Sequence, residues 1–597
     1  MKGCIIAAVA LLTIRAAAGI EADAGSTLAE PVPPRVELHD QRYLTQIVRR
    51  TLAAAAAKKP NYQPTYRPAA LESVHCQIIV TLREAGAIRA RGVSHNLPVL
   101  DAAMEAARVA LKDAPPGWPD AEALGRTIIE MEAAGEPVPA SLPPGWAGGQ
   151  ADPHPLETLI EPGAYGVELE HEGEQRRFCP SEIFTTDHKV YDALVALGEQ
   201  LGLAGDKVDQ AKLSRFRTVH WVEVVPDGKT VQLHRGMVLI TPGLVTAQAV
   251  DTAIQRLAEY MLYRQRPDGT FSYQYEPARD VWSDEDNAVR QAGAAWAMAH
   301  HARMSRSDAA LSAADLSVKQ HLSRLTDLAG VENAAFIRTA DDENELGVTA
   351  LVCLALLDHP QPERFAAERQ KLLGGLLWPQ EGSGRFVTAF PPARTLSTQV
   401  HFPGEALCAL ARAYRDDPQD RSMRAFDLAI GYYRDYFERQ RVPAFAPWQI
   451  QAFAEMAVHS KRHDFAEFVF RMSDWLADAQ LGDHNCRWPE LWGGFAPSAP
   501  GRAGISTAAF VEGLVEALRL ARQRDDRERA VRYERAIAAA IRFVLQLQVR
   551  PEETYFMRSP RDAIGGIRTA PSLSHLRIDH CQHALMGLWK AREVLFQ

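Results

Sequence analysis

Near the end of the chain, Leu576 to Ala591 reads LRIDHCQHALMGLWKA, and Asp579, His580, Gln582 and His583 run straight into an apolar, alanine-containing helix. An acid and two imidazoles so close together can carry protons, and they are costly to bury without partners. Comparable polar heads precede other apolar stretches: Asp284, Glu285, Asp286 and Arg290; Asp341, Asp342, Glu343 and Glu345; His401 and Glu405; Trp448, Gln449 and Gln451; Ser506 and Thr507. Acids and serines at a helix start also cap free amides and favour the helix dipole, the expected role of Asp284 and Asp341. Capping explains Arg290, Glu405 and the His580–His583 pair less well. Intervening loops add Tyr273, Tyr275, Glu276, His484, Trp488, Glu490, Trp492, Arg568 and His575. Aromatic faces beside carboxylates suit sugar rings, although an aromatic loop can equally pack on its own scaffold.

Something must gather these dispersed heads. From about residue 245 onward, helices with small residues at matching places recur, and Ala294, Ala350, Ala406, Ala452, Ala509 and Ala584 follow at steps of 56, 56, 46, 57 and 75 residues. That spacing predicts six helical hairpins. RQRPDGTF and PQEGSGRF set Gln265, Gly269 and Phe271, and Gln380, Gly384 and Phe386, at equal separations, with a longer variant from Gln480 to Trp488. The phrase resembles the QW-type repeat of squalene-cyclase and prenyltransferase toroids. The hairpins, small on one helix of each pair, resemble the (α/α)6 toroid of six-hairpin glycosidases and related lyases, epimerases and cyclases. The resemblance implies a site at one mouth of the ring, near the N-termini of the inner helices. An open α-solenoid that binds proteins is the competing architecture.

Residues 38–240 mix short strands with helices. CQIIVTLREAGAIRARGV reads as strand, turn at Glu84-Ala85-Gly86, and strand; VLDAAMEAARVALKDA has helical spacing; a second hairpin turns at His171-Glu172-Gly173. The Pro- and Gly-rich segment from Ala114 to about Asp152 is expected to be a loop-bearing insertion. The order of IIVTLREAGAIRARG, LIEPGAYGVELE and FCPSEIF resembles the AMMECR family, an α/β domain of unsettled activity. Where that family carries an Arg-Gly-Cys-Ile-Gly signature this chain has Arg89-Ala90-Arg91-Gly92-Val93, without the cysteine. The expected architecture is therefore multidomain: a signal peptide at 1–19, an AMMECR-like α/β domain at 38–240, and an all-α (α/α)6 toroid at 245–597.

With 75 acidic and 66 basic residues the net charge is -9, and no Lys/Arg-rich run is present, so nucleic acid is not an expected partner. The apolar run Cys4 to Ile14, after Lys2 and before small residues, has the layout of a cleaved export signal, implying a periplasmic or extracellular protein without an integral membrane segment, or a cytoplasmic one if the signal is not cleaved. No CxxC occurs among the seven cysteines, so disulfides are not indicated. His484, Cys486, His580, Cys581 and His583 are zinc-ligand types without zinc-ligand spacing, and no GxSxG, phosphate-binding loop or dinucleotide fingerprint is present; neither metal nor cofactor is expected.

These features point to a carbohydrate-active enzyme acting on an exported or envelope glycan. For hydrolysis, Glu405 with Asp579 or Asp286 would supply an acid and a base or nucleophile. For elimination or epimerisation of a uronic acid, Tyr273 or His580 would move the proton and Arg290 would pair with the sugar carboxylate. Glu345, His401, Gln451, Glu490, Trp492, Gln582 and His583 are expected to contact the substrate. The alternatives are a non-catalytic glycan- or protein-binding module and a terpenoid cyclase-like enzyme, whose Asp-rich signature DDENE and SDEDN match only loosely.

Overall fold

The computed structural model describes residues 29–596 apart from 117, 119, 143–152, 225, 227, 393–398 and 498–502. The expected export signal lies outside the described residues. No helix among them is long and apolar enough to cross a membrane.

The N-terminal domain contains ten strands: β1 His75–Glu84, β2 Ala87–Val93, β3 Leu97–Pro98, β4 Ile128–Ala134, β5 Val138–Pro139, β6 Gly166–His171, β7 Glu174–Phe178, β8 Lys212–Phe216, β9 Thr218–Glu223 and β10 Thr230–Leu233. One antiparallel sheet runs β10-β9-β4-β1-β2, with β3 beside β1; a second runs β5-β8-β6-β7. Both expected hairpin turns form, with left-handed backbone at Ala85 and Gly86 and at Glu172 and Gly173. Helices Leu38–Ala56 and Val99–Asp113 bury Leu44, Val48, Leu100 and Ala103 with Ile78, Val80 and Leu82 of β1.

The expected insertion from Ala114 to about Asp152 needs correction, because β4 is the middle strand of the larger sheet. Its sequence, IIEMEAA, hides this by placing two glutamates in a buried strand. Glu130 is held there by Arg83 at 2.7 Å and His220 at 3.0 Å, and Glu132 by the hydroxyls of Ser181 at 2.7 Å and Thr218 at 2.9 Å. Buried charge is tolerated when paired and hydrogen-bonded in this way.

The C-terminal region is an (α/α)6 toroid. Its inner helices are Ala288–Ser305, Leu346–Leu357, Phe402–Asp416, Ala446–Ser460, Ser506–Gln523 and Ile578–Leu595. The outer helices are Ala247–Arg264, Asp308–Leu322, Ala366–Leu377, Asp420–Arg439, His463–Asp478 and Arg527–Leu547. Each inner helix packs on the next and the sixth packs on the first, so the stack is closed and the open-solenoid alternative does not hold. Five of the six aligned alanines are fully buried, and Ala509 is nearly so.

The Gln–Gly phrase joins neighbouring hairpins. Gln265, Gln380, Gln480 and Gln548, just after outer helices, each donate from Nε2 to a backbone carbonyl of another outer helix: Ala313, Ala425, Ala536 and Ala253, at 2.8, 2.8, 2.8 and 3.0 Å. Gly269, Gly384, Gly493 and Gly565 follow at positive φ, pressed against those same helices; a Cβ on Gly493 would sit 1.9 Å from the Ala539 carbonyl. In the third instance the return residue is Phe495, not Trp488 as the sequence spacing suggested. The fourth, unseen in the sequence, ties the last outer helix to the first and closes the ring.

Inside that closure, strand Gln274–Glu276 of the first hairpin pairs with Leu573–Arg577 before the sixth inner helix. The N-terminal domain rests on the same side of the ring: His575 Nε2 meets Asp187 Oδ2 at 2.7 Å, and Phe184 packs edge-on against Phe556.

Candidate active site

The strand pairing brings Tyr273 and Arg290 of the first hairpin to Arg577 and Asp579 of the last. Arg577 grips Asp579 with two bonds of 2.7 and 2.9 Å, Arg290 Nε approaches the same carboxylate at 3.2 Å, and the Arg290 guanidinium also bonds the Tyr273 hydroxyl. Burial alone would raise the Asp579 carboxyl, but His580 once protonated in acid, and Arg577 and Arg290 at every pH, hold it well below the usual carboxylate range. It is a fixed anion.

Glu405 is its opposite. It lies in the first turn of the third inner helix, 3% exposed, and Oε2 has no hydrogen-bond partner among the described residues. The carboxyl leans on Gly347 of the second inner helix, where a Cβ would stand 2.5 Å from Oε2, so only glycine leaves room. Burial, reinforced by the charge of Glu345, pushes Glu405 up to about 8, so it holds a proton at neutral pH. Glu345, the residue before the second inner helix, is itself raised by burial and by Asp341 and Glu343, with Arg290 acting in the opposite sense.

Neutral imidazoles and unpaired amides complete the mouth. Burial brings His401 and His580 each down to about 4, and His580 Nδ1 has no protein partner. His583 behaves differently: burial lowers it, but its 2.7 Å bond to Glu512 Oε1 more than reverses this, while Glu512 Oε2 remains unpartnered. Trp448 packs edge-on against the His583 ring. Both polar atoms of the Gln449 side chain, and Nε2 of Gln582, are also buried without a protein partner. All these atoms belong to the first two turns of the third to sixth inner helices. Buried polar groups are normally satisfied, so this concentration is bonding capacity that the protein itself leaves unused.

The ring therefore brings together Tyr273, Arg290, Glu345, His401, Glu405, Asp579, His580, Gln582 and His583. Four expected residues go elsewhere. Asp286 is exposed and accepts from Gln291 Nε2 at 2.8 Å, which seats the first inner helix. Gln451 lies deeper and accepts from Lys590 at 2.6 Å. Glu490 is tied at 2.7 Å to Arg235 in the domain junction, because a fully buried arginine there needs a counter-ion. Trp492 donates to the Cys486 carbonyl at 2.6 Å on the same loop. Sequence reasoning missed Glu512 and Arg577. Glu512 was detectable as an acid on the small-residue helix face, immediately before Gly513.

The six cysteines among the described residues are free and buried. In the N-terminal domain, Arg91 pairs with Glu182 and reaches the Cys179 sulfur at 3.3 Å, yet burial still pushes that thiol well above its usual value, so the geometry does not support a thiolate nucleophile. Asp187, Glu276 and His575 could together hold a metal ion, their ligand atoms lying within 4.8 Å of one another.

No protein-family model and no curated protein sequence matches this chain. Among solved structures, the N-terminal region is similar to an uncharacterized protein from Pyrococcus horikoshii, with 18% identity over 33% of this chain and 98% of that one and a TM-score of 0.29. The toroid is similar to an α-1,6-mannanase of a Salegentibacter species, solved as an inactive variant with α-1,6-mannotriose, with 8% identity over 58% of this chain and 99% of that one and a TM-score of 0.42. It is also similar to an unsaturated glucuronyl hydrolase specific for heparin, at 9% identity over 58% of this chain and 97% of that one, with a TM-score of 0.40. At these identities and TM-scores these are likenesses only, and the architecture rests on the strand order and helix packing described above.

Proposed function

We propose that the chain is a glycoside hydrolase that cleaves a neutral glycan at the mouth of the toroid. The observation that carries this reading is Glu405, a buried carboxyl with a free oxygen that stays protonated at neutral pH beside anionic carboxylates. Such a group suits a general acid. Glu405 would give its proton to the glycosidic oxygen as the C–O bond breaks. Glu345 would take a proton from the attacking water, whose hydroxyl joins the anomeric carbon. Asp579, gripped by two guanidinium groups, is too weak a base for that task and would stabilise the oxocarbenium-like charge electrostatically.

Charge bears on the substrate as well. Arg577 is held by Asp579 through two bonds and Arg290 through one, so a uronate would have to compete with that carboxylate for Arg290, which is the ground for preferring hydrolysis of a neutral substrate over elimination or epimerisation. The unpartnered amide and imidazole atoms match neutral hydroxyls. The apolar N-terminal run keeps an exported glycan as the preferred source. Turnover assays over neutral and acidic oligosaccharides, with wild type and Glu405→Gln, test the proposal. Cleavage of a neutral substrate that Glu405→Gln lacks while remaining folded is the expected result. Glycan binding without any wild-type turnover would leave the non-catalytic module instead.

A further inference from the structure

A cavity of about 140 Å³ lies between the two domains. Its floor includes Ser181, Arg217, His220 and His234 of the N-terminal domain, and its roof is Trp488 and Glu490 of the toroid. At about 30 Å³ per water molecule, that volume holds a small ion with a few solvent molecules.

The hydrogen-bonding balance around it is lopsided. Every carboxylate nearby is already occupied: Glu132 by Ser181 and Thr218, Glu130 by Arg83 and His220, and Glu161 and Glu490 both by Arg235. Arg217 is not. Its guanidinium stacks 4.8 Å over the Trp488 ring, and no ion pair is formed by it among the described residues. A cation–π contact does not use the N–H groups, which leaves them available; Arg235 and Arg487 lie over the same ring at 5.1 and 4.7 Å. His234 lines the same cavity and shows no side-chain hydrogen bond among the described residues. His220 uses only Nε2, toward Glu130, which leaves Nδ1. Of the remaining capacity, the Arg217 N–H groups are donors, the His234 ring in its neutral form offers one donor and one acceptor, and His220 Nδ1 donates when that ring is protonated.

We infer that this junction cavity is a binding site for a small oxyanion of the phosphate type, held by Arg217 with His220 and His234, as free phosphate or as the phosphate group of a monoester. Arg presents two parallel donors to such a group, and the imidazoles approach from other directions, which suits a tetrahedral anion. The environment agrees. Burial opposes protonation of His220, but its bond to Glu130 more than compensates and raises its pKa, whereas burial lowers that of His234, which can donate as the neutral ring. Because the roof belongs to the toroid and the floor to the N-terminal domain, occupancy should also strengthen the junction.

Calorimetric titration of the full chain in phosphate-free buffer, with inorganic phosphate in one arm and glycerol 3-phosphate in the other, tests the site. Saturable one-to-one binding in either arm, weakened at least tenfold in Arg217→Gln, supports the inference, and the tighter arm identifies the source. The ligand should raise the unfolding temperature of wild type but not of the variant. Should Arg217→Gln fail to fold, His234→Gln carries the same expectation at the partly buried neighbouring ring. No binding to wild type in either arm, or equal affinity in a folded variant, meaning an adventitious ion only, overturns it.

Discussion

Two polar layers cross the inside of the ring, and they are built on opposite principles. In the mouth, Glu405, Gln449, Glu512, His580 and Gln582 keep buried atoms without protein partners. Deeper in the ring, Asp358 at the end of the second inner helix accepts from Arg412 of the third at 2.7 Å and from Arg303 and the Trp296 indole of the first at 3.0 and 2.9 Å. Lys590 donates to Glu516 at 2.8 Å and to Gln451 at 2.6 Å, and Arg519 reaches Glu516 at 3.1 Å. Both deep carboxyls have lowered pKa values despite burial, Glu516 to about 2 through the charges of Lys590 and Arg519. Glu405 and Arg412 are seven residues apart on one helix, or about 10 Å at 1.5 Å per residue. Within that depth the carboxyls change from unpaired to ion-paired, although His300 Nε2 beside Asp358 also has no protein partner among the described residues. The deep layer closes the ring as an ionic floor, whereas the mouth retains bonding capacity for something that enters.

The contrast can be broken by exchanging the roles of the two layers. Glu405→Gln keeps the shape of the mouth and removes its proton donor, so turnover should fall about 10²–10⁴-fold with the fold intact. Asp358→Ala should do the reverse. It strands Arg412 and Arg303, and loss of one partner from a buried pair typically costs about 3–5 kcal/mol, so denaturant unfolding should shift to markedly lower concentration. Comparable stability losses in both variants would mean that the mouth is a second structural layer.

Acid–base linkage sharpens the same difference. The folded pKa of Glu405, about 8, lies above its unfolded value near 4.5. Above pH 4.5 the unfolded chain releases this proton while the folded chain keeps it. The Glu405 contribution is thus fully present below pH 4.5 and falls by about 1.4 kcal/mol per pH unit until the folded group titrates near 8. Glu405→Gln should therefore become progressively more stable than wild type from pH 5 to 8, read as the difference between urea midpoints. Parallel stability curves would mean that Glu405 is ionised in the fold. The wild-type rate profile should show the same titration as its alkaline limb, declining above pH 8 as Glu405 loses its proton.

The sequence made the toroid more legible than the sheet, for a physical reason. Close-packed inner helices require small residues at a regular spacing, and the alanine columns display that requirement directly. β4 is obscured because burial of Glu130 and Glu132 depends on Arg83, His220, Ser181 and Thr218, which are remote in the chain. The mouth was half legible. Helix starts identified Arg290, Glu405, Asp579 and the histidines, since position along an inner helix decides proximity to the axis. Glu490 and Trp492 misled because an aromatic-acidic loop has the same composition whether it lines a mouth or receives another domain, and Arg235 determined which. Glu512 escaped because it sits inside a helix, where a lone acid resembles a surface residue.

The smallest expected effect concerns the joints that bend both layers into a ring. Each Gln–Gly joint makes one side-chain bond to a carbonyl of another outer helix, and loss of such a bond, with the carbonyl left partly desolvated, costs on the order of 1–2 kcal/mol. Gln380→Ala removes a joint within the stack, whereas Gln548→Ala removes the one that ties the last outer helix to the first. Gln548 Nε2 is also buried, meeting the carbonyls of both Ala253 and Gly565, whereas Gln380 is only partly covered. Gln548→Ala should accordingly be the more destabilising in chemical denaturation. Its effect should reach the mouth as well, because Tyr273 and Arg290 meet Arg577 and Asp579 only across that seam. If Gln548→Ala alone lowers turnover while Gln380→Ala changes stability alone, ring closure is what positions the catalytic layer; equal effects on turnover would assign that positioning to the inner helices themselves.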